Sequence, residues 1–118
     1  MLKNSKLENL FKLSSKITVF VPSTINIDEA IDNTKQVDKM ASLLSDCFGG
    51  ATSSLALGYW NSTNGKQVKE NTTIVFAYCN ESDLQNKLDT IIEACQNLKI
   101  ELKQDAIALE LNGEMYFI

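Results

Sequence analysis

Histidine and arginine are both missing from this chain, and proline and tryptophan occur once each. Without histidine the sequence has neither the usual proton shuttle near neutral pH nor the commonest metal ligand. Acid–base chemistry is left to carboxylates, lysine, tyrosine or cysteine. Without arginine, and with a net charge of −4 and a pI near 4.7, the chain lacks the basic face that holds a nucleic-acid duplex. No apolar run reaches the ~18 residues of a membrane span, and the start has no long apolar signal stretch. Cysteine is scarce too. Cys47, Cys79 and Cys95 are odd in number and lack CxxC spacing, which argues against a zinc site. Each stands where a small apolar residue would serve, so they read as free thiols in a reducing cytoplasm. With no histidine to act as base, none reads as a nucleophile.

What is present suits one globular domain spanning residues 1–118, with 44% apolar and 22% charged residues. Ser5-Lys6-Leu7-Glu8 has the form of a capping box, and Leu7, Leu10 and Phe11 follow at helical spacing, predicting a short N-terminal helix ending near Leu13. ITVFVP (Ile17–Pro22) predicts a strand closed by the proline. Ser23 to Asp32 has no clean period and reads as a long loop. Val37, Met40, Ala41, Leu44, Cys47 and Phe48 mark one face of a helix starting at Asn33 or Thr34, with Gly49-Gly50 as its left-handed stop. LALGYW and the segment from Val68 to Cys79 predict two strands, and Asn64-Gly65 between them is a strong hairpin signal. Ser82 and Gln85 form a second capping box, opening a helix striped by Leu84, Leu88, Ile91, Ile92, Cys95 and Leu98. AIALEL and EMYFI flank Asn112-Gly113 as a second hairpin. The order is that of an α+β protein: a ferredoxin-like split β-α-β antiparallel sheet with two helices on one face, an extra C-terminal hairpin strand and a short N-terminal helix.

Two helices cover one face of such a sheet. In TTIVFAYC, Ile74, Phe76 and Tyr78 alternate with Val75, Ala77 and Cys79, so both faces carry apolar side chains. An open face bearing Phe20 with a Val75 or Phe76 neighbour predicts self-association, sheet against sheet, as a homo-oligomer. The rival expectation is that the N-terminal helix folds back over that face.

Candidate chemistry centres on CFGGATSSLALGYW (Cys47–Trp60). Behind the glycine pair, Thr52 and Ser53 offer hydroxyls and N–H groups to an anion, although no GK[ST] follows and a Walker-type loop is excluded. Ala56, Gly58 and Trp60 share a strand face, leaving a trough walled by the indole that suits a planar base. The alternative is that Trp60 packs into an oligomer interface. Lys66 and Lys69 can neutralise a phosphate, or simply solvate an edge strand. Asp28, Glu29 and Asp32 share the long loop without the D-x-D-x-D-G pattern of a calcium site. No metal site, cofactor or catalytic residue is predicted.

The run GYWNSTNGKQVKENTTIV (Gly58–Val75) is similar to the central hairpin of an uncharacterised family of small bacterial ferredoxin-like proteins. The Lys-, Asn- and Ile-rich composition without arginine, with FGGAT, VKENTT and EMYFI, resembles small proteins of phages and mobile elements. Among these are the anti-Thoeris sponges, and that resemblance implies an oligomeric trap for a nucleotide signal in the host cytoplasm. The expectation is therefore a non-enzymatic homo-oligomer that binds a small nucleotide-like ligand through Trp60, Thr52, Ser53, Lys66 and Lys69. The alternative is an acidic protein-interaction module that inhibits a host nuclease or defence protein.

Overall fold

The strand expected around Ile17 runs from Ser15 to Pro22 in the computed structural model of the chain, which describes residues 2–118. This strand, β1, turns Ile17, Val19 and Val21 into the core, with Lys16, Thr18 and Phe20 on the other face. Its ladder stops at Pro22, which has no N–H to donate. A small hairpin follows (β2, Thr24–Ile25; β3, Glu29–Ala30), then helix α1 (Thr34–Phe48). Strands β4 (Thr52–Asn61) and β5 (Gln67–Cys79) precede helix α2 (Glu81–Glu101), and β6 (Ala108–Leu111) and β7 (Glu114–Phe117) complete the chain. The main sheet has the order β4-β5-β1-β6-β7, with every adjacent pair antiparallel. Without β2, β3 and β7 this is the split β-α-β arrangement read from the sequence, and β7 is its extra strand.

The core lies between the sheet and the two helices. Val37, Met40 and Leu44 of α1 and Leu84, Ile91, Cys95 and Leu98 of α2 meet Ile17, Val19, Val21, Val75, Ala77 and Cys79. Each large side chain fully buried here contributes about 1.5–3 kcal/mol. Gly49 ends α1 with φ 90°, its N–H donating to the Ser45 carbonyl at 2.8 Å, the stop predicted for it. Helix α2 starts before the expected Ser82 box. Asn80 is its cap, accepting the Asp83 N–H at 2.7 Å, and Glu81 and Asp83 set negative charge in the first turn. Asn112 and Gly113, with φ of 51° and 87°, form the two-residue turn their sequence predicts. No helix among the described residues is long and apolar enough to cross a membrane.

The N-terminal helix is not formed. Residues 5–10 make isolated turns, with the Leu7 and Glu8 N–H groups donating to the Asn4 carbonyl at 3.1 and 3.2 Å. So short a helix is marginal in water unless its apolar stripe is covered, and Phe11 stands 86% exposed. The segment therefore does not roof the open sheet face. That face covers itself in part: Lys16 lays its ammonium 4.6 Å from the Phe76 ring centroid, and Phe76 meets Tyr78 edge-on at 6.1 Å. Val75, one suggested member of an exposed patch, is buried on the helix side. Phe117 remains 74% exposed on the open side.

Burial pushes the Cys95 thiol up to about 11 from an ordinary value of 9.0, and raises that of Cys79, chiefly by burial and then by the charge of Asp83. The folded chain therefore holds a proton that the unfolded chain releases. Stability from this source is complete below about pH 9 and falls as pH rises toward about 11. Denaturant unfolding at a series of alkaline pH values checks this. Cys95→Ala, although less stable throughout, should lose less stability across that interval than the parent.

Candidate functional site

Strand β5 is 13 residues long, but β1 pairs only with Thr72–Cys79. Its outer part, residues 67–71, is held by β4 on one edge and has no β1 partner on the other. The Ser23–Asn33 segment lies there instead, and the two enclose a cleft of about 840 Å³. One wall includes Ile27, Asp28, Asp32 and Asn33, and the other Leu55, Ala56, Trp60 and Val68–Thr72. The segment expected to be a structureless loop is a built hairpin. Ile31 N–H donates to the Ser23 carbonyl at 2.9 Å, and Asn26 N–H to the Leu102 carbonyl, also at 2.9 Å. The Gln104 amide donates to the Thr24 carbonyl at 3.0 Å. At its tip Asn26 and Ile27 have φ of 55° and 77°, an uncommon conformation for a β-branched side chain that only a fixed surround maintains.

Register brings a carboxylate to the trough. Ala56 lies opposite Thr72, Gly58 opposite Glu70 and Trp60 opposite Val68, so these six residues share one face of the β4–β5 ribbon. Gly58 leaves the surface bare directly across from Glu70. Glu70 is half-buried, and its carboxylate makes no hydrogen bond among the described residues. Trp60, 45% exposed, stands at the end of the strip with ring surface available for stacking. Three carboxylates line the cleft (Asp28, Asp32 and Glu70) against the single ammonium of Lys69. Asp32 is held below the usual carboxylate range, first by the Thr34 hydroxyl at 2.5 Å and then by the Thr34 N–H at 3.0 Å. The electrostatic character is that of a seat for a cationic group beside a stacked ring, rather than for a phosphate.

The residues named from sequence are divided by this geometry. Trp60 and Lys69 line the cleft, although Lys69 pairs with Tyr59 on the opposite ribbon face, its ammonium 6.0 Å from that ring centroid. Lys66 lies in the turn and does not line it. Thr52 and Ser53 sit at the far end of β4, seven or eight residues from Trp60 and hence roughly 25 Å away. Thr52 borders a separate hollow with Leu13, Phe48, Gly49, Phe76 and Tyr78. One pocket uniting these hydroxyls with the indole is not what the strand permits. Glu70 and Asn33 were missed, and Asp28 and Asp32 had been weighed only as metal oxygens. No local signal marks Glu70, because Asn64-Gly65 read as a two-residue turn sends it to the other ribbon face.

No protein-family model matches the chain, and no curated protein matches it in sequence. Solved structures do match it in shape. A phage SAM lyase in complex with S-methyl-5′-thioadenosine has a TM-score of 0.65 and 16% identity, over 95% of this chain and 94% of that one. A phage SAM lyase in its apo state gives 0.61 and 16%, over 94% and 93%. The chain shares the fold of a phage SAM lyase. This finding overturns the expectation of a non-enzymatic nucleotide sponge, and with it the alternative of a bare interaction module. The end-to-end structural neighbours are an enzyme, and one was solved with a small nucleoside-type ligand. The step from an absent histidine to an absent activity does not hold, because carboxylates and an aromatic wall can serve chemistry that needs no imidazole.

Trp60 is the chain's sole tryptophan, so its fluorescence reports on the cleft. A Cβ at Gly58 would meet the Glu70 carbonyl oxygen at an ordinary 3.8 Å. Gly58→Val should therefore fold while filling the strip. Acrylamide quenching of the Trp60 fluorescence should be weaker in the variant than in the parent, because the added side chain shields an indole that is 45% exposed in the parent.

Proposed function

We propose that the chain is a lyase that cleaves S-adenosylmethionine, releasing S-methyl-5′-thioadenosine. The carrying observation is the placement of Glu70 opposite Gly58, on a bared strip that ends at Trp60 inside an acid-lined cleft. The shared fold supports the same reading. Adenine stacks on Trp60, an interaction worth ~1–3 kcal/mol. The cationic half of the substrate, bearing a sulfonium and an ammonium, faces Glu70, with Asp28 and Asp32 adding to the field.

As the bond between sulfur and the aminocarboxypropyl chain breaks, the substrate's own carboxylate oxygen bonds to the γ carbon and closes a lactone, and the electron pair passes to sulfur, which leaves as a neutral thioether. The reactivity is already in the substrate. The protein has to hold the departing chain in a productive conformation and keep the cation in place. Glu70 is the group assigned to that task.

Chromatographic detection of S-methyl-5′-thioadenosine from S-adenosylmethionine tests this. The parent should turn over, and Glu70→Gln, nearly isosteric but uncharged, should lose ~100-fold in rate. A parent that neither binds the thioadenosine nor produces it defeats the assignment.

We also propose that the protein works as a homo-oligomer. The open sheet face leaves Tyr78, Met115 and Phe117 uncovered, and Leu2, Leu7, Leu10 and Phe11 of the N-terminal segment find no cover on their own chain. A second copy is the partner this unmatched apolar surface fits. Light scattering should give a mass at least twice the 13.1 kDa of one chain, and a monomer at high concentration excludes it.

A further inference from the structure

Asn33 precedes α1 at the position where a side chain normally caps the helix, yet its side chain caps nothing. Asp32 does that work, donating no proton and accepting from the Thr34 N–H at 3.0 Å. The Asn33 amide group is turned instead toward the end of β1 and toward β5. Its Nδ2 lies within donating reach of four oxygens: the Val21 carbonyl at 3.3 Å, the Pro22 carbonyl at 3.2 Å, the Ser23 hydroxyl at 3.1 Å and the Thr73 hydroxyl at 3.3 Å. The Val21 carbonyl also accepts the Thr72 hydroxyl at 3.0 Å, so both walls of the cleft meet at this carbonyl. Thr72 is the ladder partner of Ala56 and stands two residues from Glu70 on the same ribbon face.

We propose that Asn33 is a positioning residue, fixing the gap between the Ser23–Asp32 hairpin and the Glu70 strand and so setting how the cleft grips its ligand. The role rests on the lyase reading only for the identity of that ligand. The Val21 and Pro22 carbonyls can only accept, so this position requires an NH₂ group, while the Ser23 and Thr73 hydroxyls can either accept or donate. A carboxylate in its place is repelled by two carbonyls whose lone pairs it cannot satisfy. Swung away from those carbonyls, the same carboxylate can cap the helix, a role the parent side chain leaves unfilled, since Asp and Asn rank together at that position.

Asn33→Asp therefore separates positioning from mere stability. We expect its melting temperature to stay near that of the parent, while amide hydrogen exchange across residues 23–32 quickens by ~10-fold or more. Binding of S-methyl-5′-thioadenosine, read from Trp60 fluorescence, should weaken ~10-fold, and KM for S-adenosylmethionine should rise by a similar factor with kcat changed less. Asn33→Ala should show the same loosening without the added charge. Unchanged exchange in both variants overturns the inference, as does loosened exchange with parent-like binding. Should the parent itself bind no thioadenosine, the lyase reading falls, and the exchange measurement still decides whether Asn33 holds the hairpin.

Discussion

The architecture depends on two strands of unequal reach. β1 ends its ladder at Pro22, whereas its neighbour β5 begins five residues before the partner of that proline. From Thr73 inward, β5 is a core strand, with Val75, Ala77 and Cys79 buried under the helices. From Asn71 outward it is half of a two-stranded ribbon with a vacant edge. Two-stranded ribbons are marginal alone, and here the Ser23–Asn33 hairpin stands across from the vacant edge. The cleft is the space between hairpin and ribbon, and it opens where the β1 ladder ends at Pro22, a residue without an N–H.

This division also explains how a chain without histidine or arginine is suited to the proposed chemistry. A sulfonium needs no protonation to leave and no strong electrophile to activate it. What it demands is an anionic surround and a flat platform for its base. Asp28, Asp32 and Glu70 provide the first and Trp60 the second. The acidic balance that argues against a polyanionic partner is locally the charge a cationic substrate requires.

Much of this was legible in the sequence. The helix faces, the Gly49 stop, the Asn112-Gly113 turn and the strand order follow from period and punctuation, because in each case local preference and tertiary packing agree. The trough of Ala56, Gly58 and Trp60 was legible for the same reason. Its carboxylate was not, and the cause is a single residue of register. Asn64-Gly65 usually makes a two-residue turn, which would place Gly58 opposite Asn71 and send Glu70 to the other face. The chain instead spends three residues, Thr63 to Gly65, closing the loop through the Ser62 N–H to the Lys66 carbonyl at 2.8 Å, with Gly65 at φ 82°. The N-terminal segment misled in the opposite direction. Its amphipathic spacing is real, but an apolar stripe forms a helix only where something covers it. The role of Asn33 was hidden because Asn before a helix ordinarily signals a cap, and its four oxygen partners come from positions up to 40 residues away.

Among the described side chains bordering the cleft, Ile31 alone packs against the buried cluster that holds the molecule together. Small domains seldom have such separation, since most of their residues serve the interior. Most positions along the cleft can therefore change their chemistry at little cost to the interior.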